Sequence, residues 1–174
     1  MRKPPEPIGQ PATAQASEAA PATDGAAIRE FERSLPMALL RAREVVMDRF
    51  RPMLREFGVT EQQWRVMRAL KGVTEIDVSA LAERSCILAP SLSRILRDLT
   101  DRGLVARRTT KEDRRVGLIS ITAAGRRLIA DVGPHSEARY ARIADLLGAE
   151  DLNLLYDLLD RLEARLGGAN AKKP

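Results

Sequence analysis

The stretch APSLSRILRDLTDRGLVARRTTKEDRRVGLISIT, residues 89–122, determines the fold that this chain can adopt. Its proline stands where a helix begins, and apolar residues follow at the three- and four-residue spacing of one helix face. Gly103 ends that helix, and two short runs with the composition of strands, 104–108 and 116–121, come after it. Because the segment 109–115 between these runs is polar and charged, the pattern predicts a β-hairpin with a basic tip.

Two further helices are predicted immediately upstream. Thr60 and Gln63 have the spacing of a capping box at the start of one helix, and Asp77 is placed to cap the next. The helices predicted over 78–85 and 90–102 are then the two members of a helix-turn-helix. With the hairpin that follows, they predict a winged helix-turn-helix, a mainly α fold with a small β-hairpin wing.

A long amphipathic helix precedes these elements. It is predicted to run from Leu35 to Gly58, and Pro52 within it predicts a kink or a break. The residues before it are rich in Pro and Ala and contain few large apolar side chains. We expect a disordered tail there, because such a segment cannot bury enough surface to offset its conformational entropy.

The chain after the hairpin is predicted to be helical. Thr122 caps a long helix, with interruptions expected near residues 133–134 and at Gly148. A last helix over 150–166 has a wide apolar stripe along one face. The leucines of that stripe are Leu155, Leu158, Leu159, Leu162 and Leu166.

Basic residues are concentrated in one part of the chain. Between Arg84 and Arg115, nine basic and four acidic residues give a net charge of +5, which equals the net charge of the whole chain. Clustered positive charge on a helix and a hairpin is typical of a nucleic-acid-binding face. The alternative is that the arginines of the helix are solvated surface residues paired with its aspartates.

We expect the first part of the helix over 90–102 to enter the major groove, where Arg can bind guanine with two hydrogen bonds. The hairpin tip is expected along the backbone or in the adjacent minor groove. The residues predicted to contact DNA are Ser91, Ser93, Arg94 and Arg97 of the helix, Lys111, Arg114 and Arg115 of the tip, and Arg107 and Arg108 beside it.

Other classes of protein match the sequence poorly. One histidine, one cysteine and no glycine-rich phosphate loop leave no evident nucleophile and base for an enzyme, no metal site and no cofactor. No apolar run approaches the roughly 20 residues of a membrane span, and the N-terminus lacks the apolar segment of a secretory signal. A single cysteine allows no disulfide within the chain, which favours a cytoplasmic protein.

The cysteine, Cys86, has two interpretations. Apolar Ile87 and Leu88 follow it, so we expect a buried, structural side chain. The alternative is a redox-responsive regulator, which would require an accessible thiol in electropositive surroundings. Arg84 is the only basic residue close to it in sequence.

The chain resembles the multiple-antibiotic-resistance regulator (MarR) family of bacterial transcription factors. The residues that carry the resemblance are Leu81-Ala82, Ser91-Leu92-Ser93-Arg94-Ile95-Leu96, Arg102-Gly103-Leu104-Val105, Asp113-Arg114-Arg115 and Ile121-Thr122-Ala123-Ala124-Gly125. The resemblance covers about residues 35–166 and implies a homodimer built from the first and last helices. It also implies that Asp113 holds Arg115, which enters the minor groove of double-stranded DNA.

These expectations divide the chain into five parts. The parts are a disordered Pro/Ala-rich tail over 1–30, an N-terminal dimerisation helix over 31–58, a winged helix-turn-helix DNA-binding domain over 59–122, C-terminal dimerisation helices over 123–167 and a disordered tail over 168–174. The dimeric arrangement gives the leucine stripe of the last helix a partner that one chain does not obviously provide.

Within the family, the chain is most similar to the repressors of homoprotocatechuate and aromatic-acid degradation. The matching residues lie at 38–40, 42–44, 50–52, 59–65, 86–88 and 90–92. This similarity implies a homodimeric repressor of a catabolic operon that binds a pseudo-palindromic operator. It also implies release from that operator by a small aromatic carboxylate, either a phenolic or a pyridine acid.

Four residues are candidates for binding such an effector. Arg43 could bind a carboxylate with two parallel donors, and Arg41, Met47 and Trp64 are further candidates. The alternatives are a salt bridge for Arg43 and positions in the core for Met47 and Trp64. A non-specific architectural DNA-binding protein is a further alternative for the whole chain, and it would show a steep salt dependence without sequence preference.

Overall fold

The computed structural model describes residues 30–31, 34–109 and 117–167. The chain divides into two units between Ala38 and Leu39, and every contact discussed below lies within the second, Leu39–Pro174. The helices and strands are α1 (Leu35–Glu56), α2 (Glu61–Lys71), β1 (Ile76–Asp77), α3 (Val78–Ser85), α4 (Ala89–Asp101), β2 (Val105–Thr109), β3 (Gly117–Ile121), α5 (Ala123–Leu147) and α6 (Ala149–Gly167). This order confirms the predicted mainly α fold with a β-hairpin wing.

The wing is part of a three-stranded antiparallel sheet with the order β1-β3-β2. β2 pairs with β3 in the register Val105 to Ile121, and β1 pairs with β3 in the register Ile76 to Ile119. The sequence predicted the hairpin but not β1. A strand of two residues is too short to show the alternation on which strand prediction depends.

Two helices end in the same backbone motif, as their glycines predicted. The Gly58 N–H donates to the Arg55 carbonyl at 2.9 Å, and the next N–H reaches back to Leu54 at 3.0 Å. Gly103 and the residue after it repeat this pattern at the end of α4. Gly58 and Gly103 both have φ of +66°, the left-handed conformation that this Schellman motif requires and that glycine adopts without strain.

Prolines inside helices do not interrupt them here. α1 continues through Pro52 to its end at Glu56, and α5 continues through Gly133 and Pro134 to Leu147. The predicted interruption of α5 near residue 133 is therefore wrong. Pro134 is exposed, while Val132 before it is completely buried, so the helix stays packed on the core across the missing hydrogen bond. The predicted end at Gly148 is confirmed.

The core is formed by the end of α1, the helices α2 to α4, the sheet and the first half of α5. Trp64 is only 8% exposed, in agreement with a core position, and Met47 is half-buried against the same cluster. α6 has no buried residue. In the described part of the chain, no helix is both long and apolar enough to cross a membrane.

Candidate nucleic-acid interface

α4 presents two chemically different faces. Its inner side chains, Leu92, Ile95, Leu96 and Leu99, are buried, as their spacing predicted. The predicted contact residues Ser91, Ser93, Arg94 and Arg97 are all exposed on the other side. A helix held by its apolar face and exposing serine and arginine has the form that a recognition helix needs.

Several predicted contact residues of the helix and of β2 lie along a common groove of about 500 Å³. Ser93, Arg94 and Arg97 of α4 line it together with Arg107 of β2. The Ser93 hydroxyl donates to the Ala89 carbonyl at 3.0 Å, which leaves its oxygen free to accept. The fold therefore joins residues of two elements into one basic surface.

The arginines of α4 do not pair with its aspartates. Asp98 instead accepts a hydrogen bond from Gln63 at 2.6 Å and lies 3.5 Å from the guanidinium of Arg102. Within the described ranges, neither Arg94 nor Arg97 forms an ion pair. The alternative interpretation, in which these arginines form ion pairs with the aspartates of their own helix, does not match this arrangement.

A polar network fixes the end of α4 against the start of α2. Gln63 completes the capping box of α2 with Thr60 and also donates to Asp98. Arg102, just after α4, donates to the Gly58 carbonyl at 2.9 Å. The capping box was predicted, but its second use in orienting the recognition helix was not, because the partners are 35 residues apart.

The two arginines of β2 have different surroundings. The guanidinium of Arg107 lies over Gly117, where a Cβ would come within 2.9 Å of its Nε. Arg108 forms a forked pair with Glu75, with distances of 2.7 and 2.5 Å. The hydrogen bond from Arg108 lowers the pKa of the Glu75 carboxyl below its ordinary value. No local sequence signal identified Glu75, since the pair spans 33 residues.

Four of the predicted DNA contacts, Lys111, Asp113, Arg114 and Arg115, lie outside the described residues.

The turn of the helix-turn-helix is described in full. Cys86 is exposed there, so the expectation of a buried thiol is wrong. It occupies the position that Gly58 and Gly103 occupy elsewhere, with φ of +49°, and the Ile87 N–H donates to Ala82 at 3.0 Å. This left-handed turn directs Ile87 inward, to 8% exposure, and leaves Cys86 outside.

Met47 and Trp64, two candidates for effector binding, lie in one cleft of about 260 Å³. We call it the aromatic cleft; its lining residues are Val46, Met47, Phe50, Glu61, Trp64, Arg65, Arg68 and Tyr140. The rings of Phe50 and Tyr140 are 4.9 Å apart, and the Arg68 guanidinium lies 5.7 Å from the centre of the Trp64 ring. Sequence reasoning missed Tyr140 and Arg68, although Arg68 follows Trp64 by one helical turn, a spacing that predicts a shared face.

Arg43 lines a different cleft, of about 520 Å³, which we call the arginine cleft. Its lining residues are Arg43, Arg51, Arg55, Val59, Thr60, Glu61 and Gln62. Arg43 pairs there with Glu44 at 2.7 Å and with Glu61. Arg41 is exposed and lines neither cleft.

A helix-turn-helix packed on the core, a β-hairpin beside it and a basic groove between the two define a winged helix DNA-binding protein. Residues 57–116 match the model of the MarR family. The HTH-type transcriptional regulator FarR of Neisseria gonorrhoeae is 40% identical over 129 residues, which cover 74% of this chain and 88% of that relative. The chain belongs to the MarR family.

Two further comparisons bear on the type of regulator. The homoprotocatechuate degradative operon repressor of Escherichia coli is 40% identical over 131 residues, 75% of this chain and 88% of the relative. The crystal structure of NadR in complex with 4-hydroxyphenylacetate has a TM-score of 0.66 and 38% identity, covering 79% of this chain and 97% of that one. The prediction of a MarR-family transcriptional repressor, and not an enzyme, is confirmed.

Proposed function

We propose that this chain is the homodimeric repressor of a catabolic operon, which binds a pseudo-palindromic operator and leaves it when a small aromatic carboxylate binds. The observation that carries the DNA-binding part is the groove in which Arg94 and Arg97 of α4 lie beside Arg107 of β2. Arginines without carboxylate partners retain their full charge and all their donors for DNA.

In this proposal, the two elements contact DNA in different ways. Ser91, Ser93, Arg94 and Arg97 face the base edges of the major groove, and Arg107 contacts the adjacent backbone. Arg108 is held by Glu75 at 62% side-chain exposure, so it can reach a phosphate while paired. Lys111, Arg114 and Arg115 of the tip serve the backbone and the minor groove, with Asp113 supporting Arg115.

The dimeric part of the proposal follows from apolar surface that one chain leaves exposed. In α6, Leu155 and Leu158 are 45% and 49% exposed, and in α1, Leu40 is 48% exposed. Exposed apolar side chains grouped along a helix face are typical of an association site. We assign residues 31–58 and 123–167 to dimerisation and 59–122 to DNA binding.

The effector part of the proposal is centred on the aromatic cleft. Phe50, Trp64 and Tyr140 offer ring faces and edges to an aromatic ligand, and Arg65 and Arg68 supply cations for its carboxylate. The geometry favours these two arginines over Arg43, which lies in the neighbouring arginine cleft, and over Arg41, which lines neither. Phenolic and pyridine carboxylates have the required combination of ring and charge.

A gel-shift and footprinting experiment on the DNA upstream of the gene tests the proposal. We expect protection of two half-sites about one helical turn apart, and loss of protection when an aromatic carboxylate from a phenolic and pyridine panel is added. No protection at micromolar protein in low salt would contradict repression. Equal affinity for operator and random duplex, with a steep salt slope, would instead support an architectural role.

Substitutions separate base reading from backbone binding. Arg94→Ala is expected to cost about 1–3 kcal/mol of operator binding and to relax sequence preference at one base pair. Arg115→Ala is expected to weaken operator and random duplex alike. Titration of both variants against operators altered at single positions measures the difference, and equal, sequence-independent losses would refute the division of roles.

The exposure of Cys86 favours one alternative enough to test it. A thiol at the turn before α4 is accessible to oxidants, and its modification could disturb DNA binding. Peroxide treatment of the wild type and of Cys86→Ser is the test. Peroxide-insensitive DNA binding in the wild type would exclude a redox-responsive regulator that acts through this residue.

A further inference from the structure

Glu61 is a carboxylate held by three arginines. As the first residue of α2, it accepts from Arg51 of α1 at 3.1 Å and from Arg65 of its own helix at 2.9 Å, and it also pairs with Arg43 of α1. Its side chain is 16% exposed, less than that of any of these arginines. Three guanidinium groups therefore converge on one largely covered carboxylate.

The position of Glu61 connects the two clefts. Among the described residues, Glu61 alone lines both the aromatic cleft and the arginine cleft. Arg65 borders the aromatic cleft, while Arg43 and Arg51 border the other. A carboxylate that enters either cleft therefore meets guanidinium groups that already bind Glu61.

We propose that Glu61 is the specificity-determining residue of the effector site, an internal carboxylate that occupies the arginines until the carboxylate of an aromatic ligand replaces it. The inference rests on the proposed function, because it takes the ligand to be an aromatic carboxylate. No covalent bond is made or broken. The ligand carboxylate replaces the Glu61 carboxylate on the same guanidinium groups, beginning with Arg65 at the edge of the aromatic cleft.

Competition with a tethered group explains how the site would select its ligand. Glu61 faces its arginines at an effective concentration of at least the millimolar order, so a simple anion of similar basicity cannot displace it at low concentration. An aromatic acid has a second source of binding energy, since its ring packs against Phe50, Trp64 and Tyr140. The site therefore binds most tightly a ligand that carries a ring and a carboxylate in one molecule.

The same exchange would alter contacts between helices. Glu61 joins α1 to α2 through Arg43 and Arg51, and Arg65 also donates to the Ser85 carbonyl at the end of α3, at 3.3 Å. α1 belongs to the proposed dimerisation surface and α3 to the helix-turn-helix. Replacement of Glu61 by a ligand thus affects one ion-pair cluster that contacts both regions.

Glu61→Gln in the full-length chain tests the proposal, because glutamine keeps the shape and removes the charge. Calorimetric titration compares 4-hydroxyphenylacetate with 4-hydroxyphenylacetamide, which has the same ring and no charge. We expect the variant to bind the acid about tenfold more tightly than the wild type and to bind the amide with unchanged affinity. Acetate, which lacks the ring, is expected to bind the variant measurably more tightly than the wild type.

Glu44→Gln is the matched control. Glu44 pairs with Arg43 and Arg51 as Glu61 does, at 2.7 and 2.5 Å, but it lines neither cleft. We expect its substitution to leave the affinity for the acid within about twofold. An equal gain in both variants would mean that only the general loss of negative charge matters, and it would overturn the proposal.

The remaining outcomes are also decisive. Unchanged or weaker binding of the acid by Glu61→Gln overturns the inference, as does an equal gain for acid and amide. If the wild type binds no acid and the variant does, the inference stands and release by an effector fails; if neither binds, both fail. If Glu61→Gln does not fold, Glu61→Asp takes its place, because the shorter side chain keeps the charge but moves it away from the arginines of α1. The proposal then requires that Glu61→Asp bind the acid more tightly than the Glu44→Gln control does, by a factor smaller than ten.

Discussion

The segment from α2 to β3 and the terminal helix α6 have opposite relations to the core. Both carry apolar residues at regular spacing, yet Met67, Leu70 and Leu99 of the first are completely buried and α6 has no buried residue. The difference shows that periodicity in a sequence identifies an apolar face but not what covers it. The apolar faces of the segment from α2 to β3 pack against other parts of the same chain, whereas we propose that a second chain covers α6.

Energetics support this distinction. Full burial of a leucine side chain is worth about 1.5–3 kcal/mol, so a helix that leaves Leu155, Leu158 and Leu166 about half exposed leaves much of that free energy unused. A partner surface would recover it. The predictions below probe whether the two regions depend on different contacts.

Leu158→Asp is expected to have the largest effect, and on assembly more than on folding. A buried, unpaired carboxylate would oppose association of the proposed α6 surface. A monomer can bind only one half-site at a time, so operator affinity should fall by about 100-fold or more. Sedimentation velocity and gel-shift titration measure the two quantities.

Asn153→Asp provides the control for Leu158→Asp, because it adds the same charge at an exposed polar position of the same helix. It should leave both the oligomeric state and the operator affinity unchanged. If Leu158→Asp remains dimeric at micromolar concentration, α6 is not the surface that joins the subunits.

Leu99→Ala probes the region that is packed within one chain. Leu99 is completely buried in α4, and its truncation leaves a cavity, so the free energy of unfolding should fall by about 2–5 kcal/mol. Urea unfolding at several protein concentrations measures the change and separates it from dissociation. Leu88→Ala, at a residue 80% exposed just before the same helix, should change stability by no more than about 0.5 kcal/mol.

Local sequence signals predicted those parts of the fold that depend on local contacts. The capping box at Thr60, the cap at Asp77 and the left-handed glycines each satisfy backbone groups within a few residues, so their sequence pattern is sufficient. The same holds for the division of α4 into a buried and an exposed face. The continuity of α5 could not be predicted, because packing of Val132 in a core built from distant segments outweighs the effect of Pro134.

Spacing in the sequence indicates which candidate residues are neighbours where they lie on one element. Ser91, Ser93, Arg94 and Arg97 share one helix, so helical spacing alone places them near one another, and three of them line the groove. The contact of Tyr140 with Phe50 and the pair of Glu75 with Arg108 join distant segments. No spacing in the sequence predicts such contacts.

Cys86→Gly tests the backbone conformation of the turn before α4 and should have a moderate effect on stability. Cys86 has φ of +49° in a motif that glycine occupies at Gly58 and Gly103. Removing its Cβ should relieve strain and stabilise the chain by about 0.5–1 kcal/mol, measured by thermal unfolding. Gly103→Ala is the converse control: a Cβ there would meet nothing within 4 Å, so the expected loss of about 1 kcal/mol reports backbone conformation alone. Unchanged stability of Cys86→Gly, with a loss in Gly103→Ala, would contradict the assigned strain.

Glu75→Gln should have the smallest effect on stability, because the ion pair of Glu75 with Arg108 lies on the protein surface. The folded-state pKa of Glu75 is lowered, chiefly by the hydrogen bond from Arg108, so the carboxylate stabilises the folded state above its unfolded pKa. That contribution is lost as the pH falls through the folded pKa. The wild type should therefore be slightly more stable than Glu75→Gln near pH 7, and urea unfolding should show the difference shrinking as the pH falls through the lowered pKa of Glu75. If the stability difference between the wild type and Glu75→Gln persists at acidic pH, Glu75 acts through packing, as the core residues do, and not through its charge.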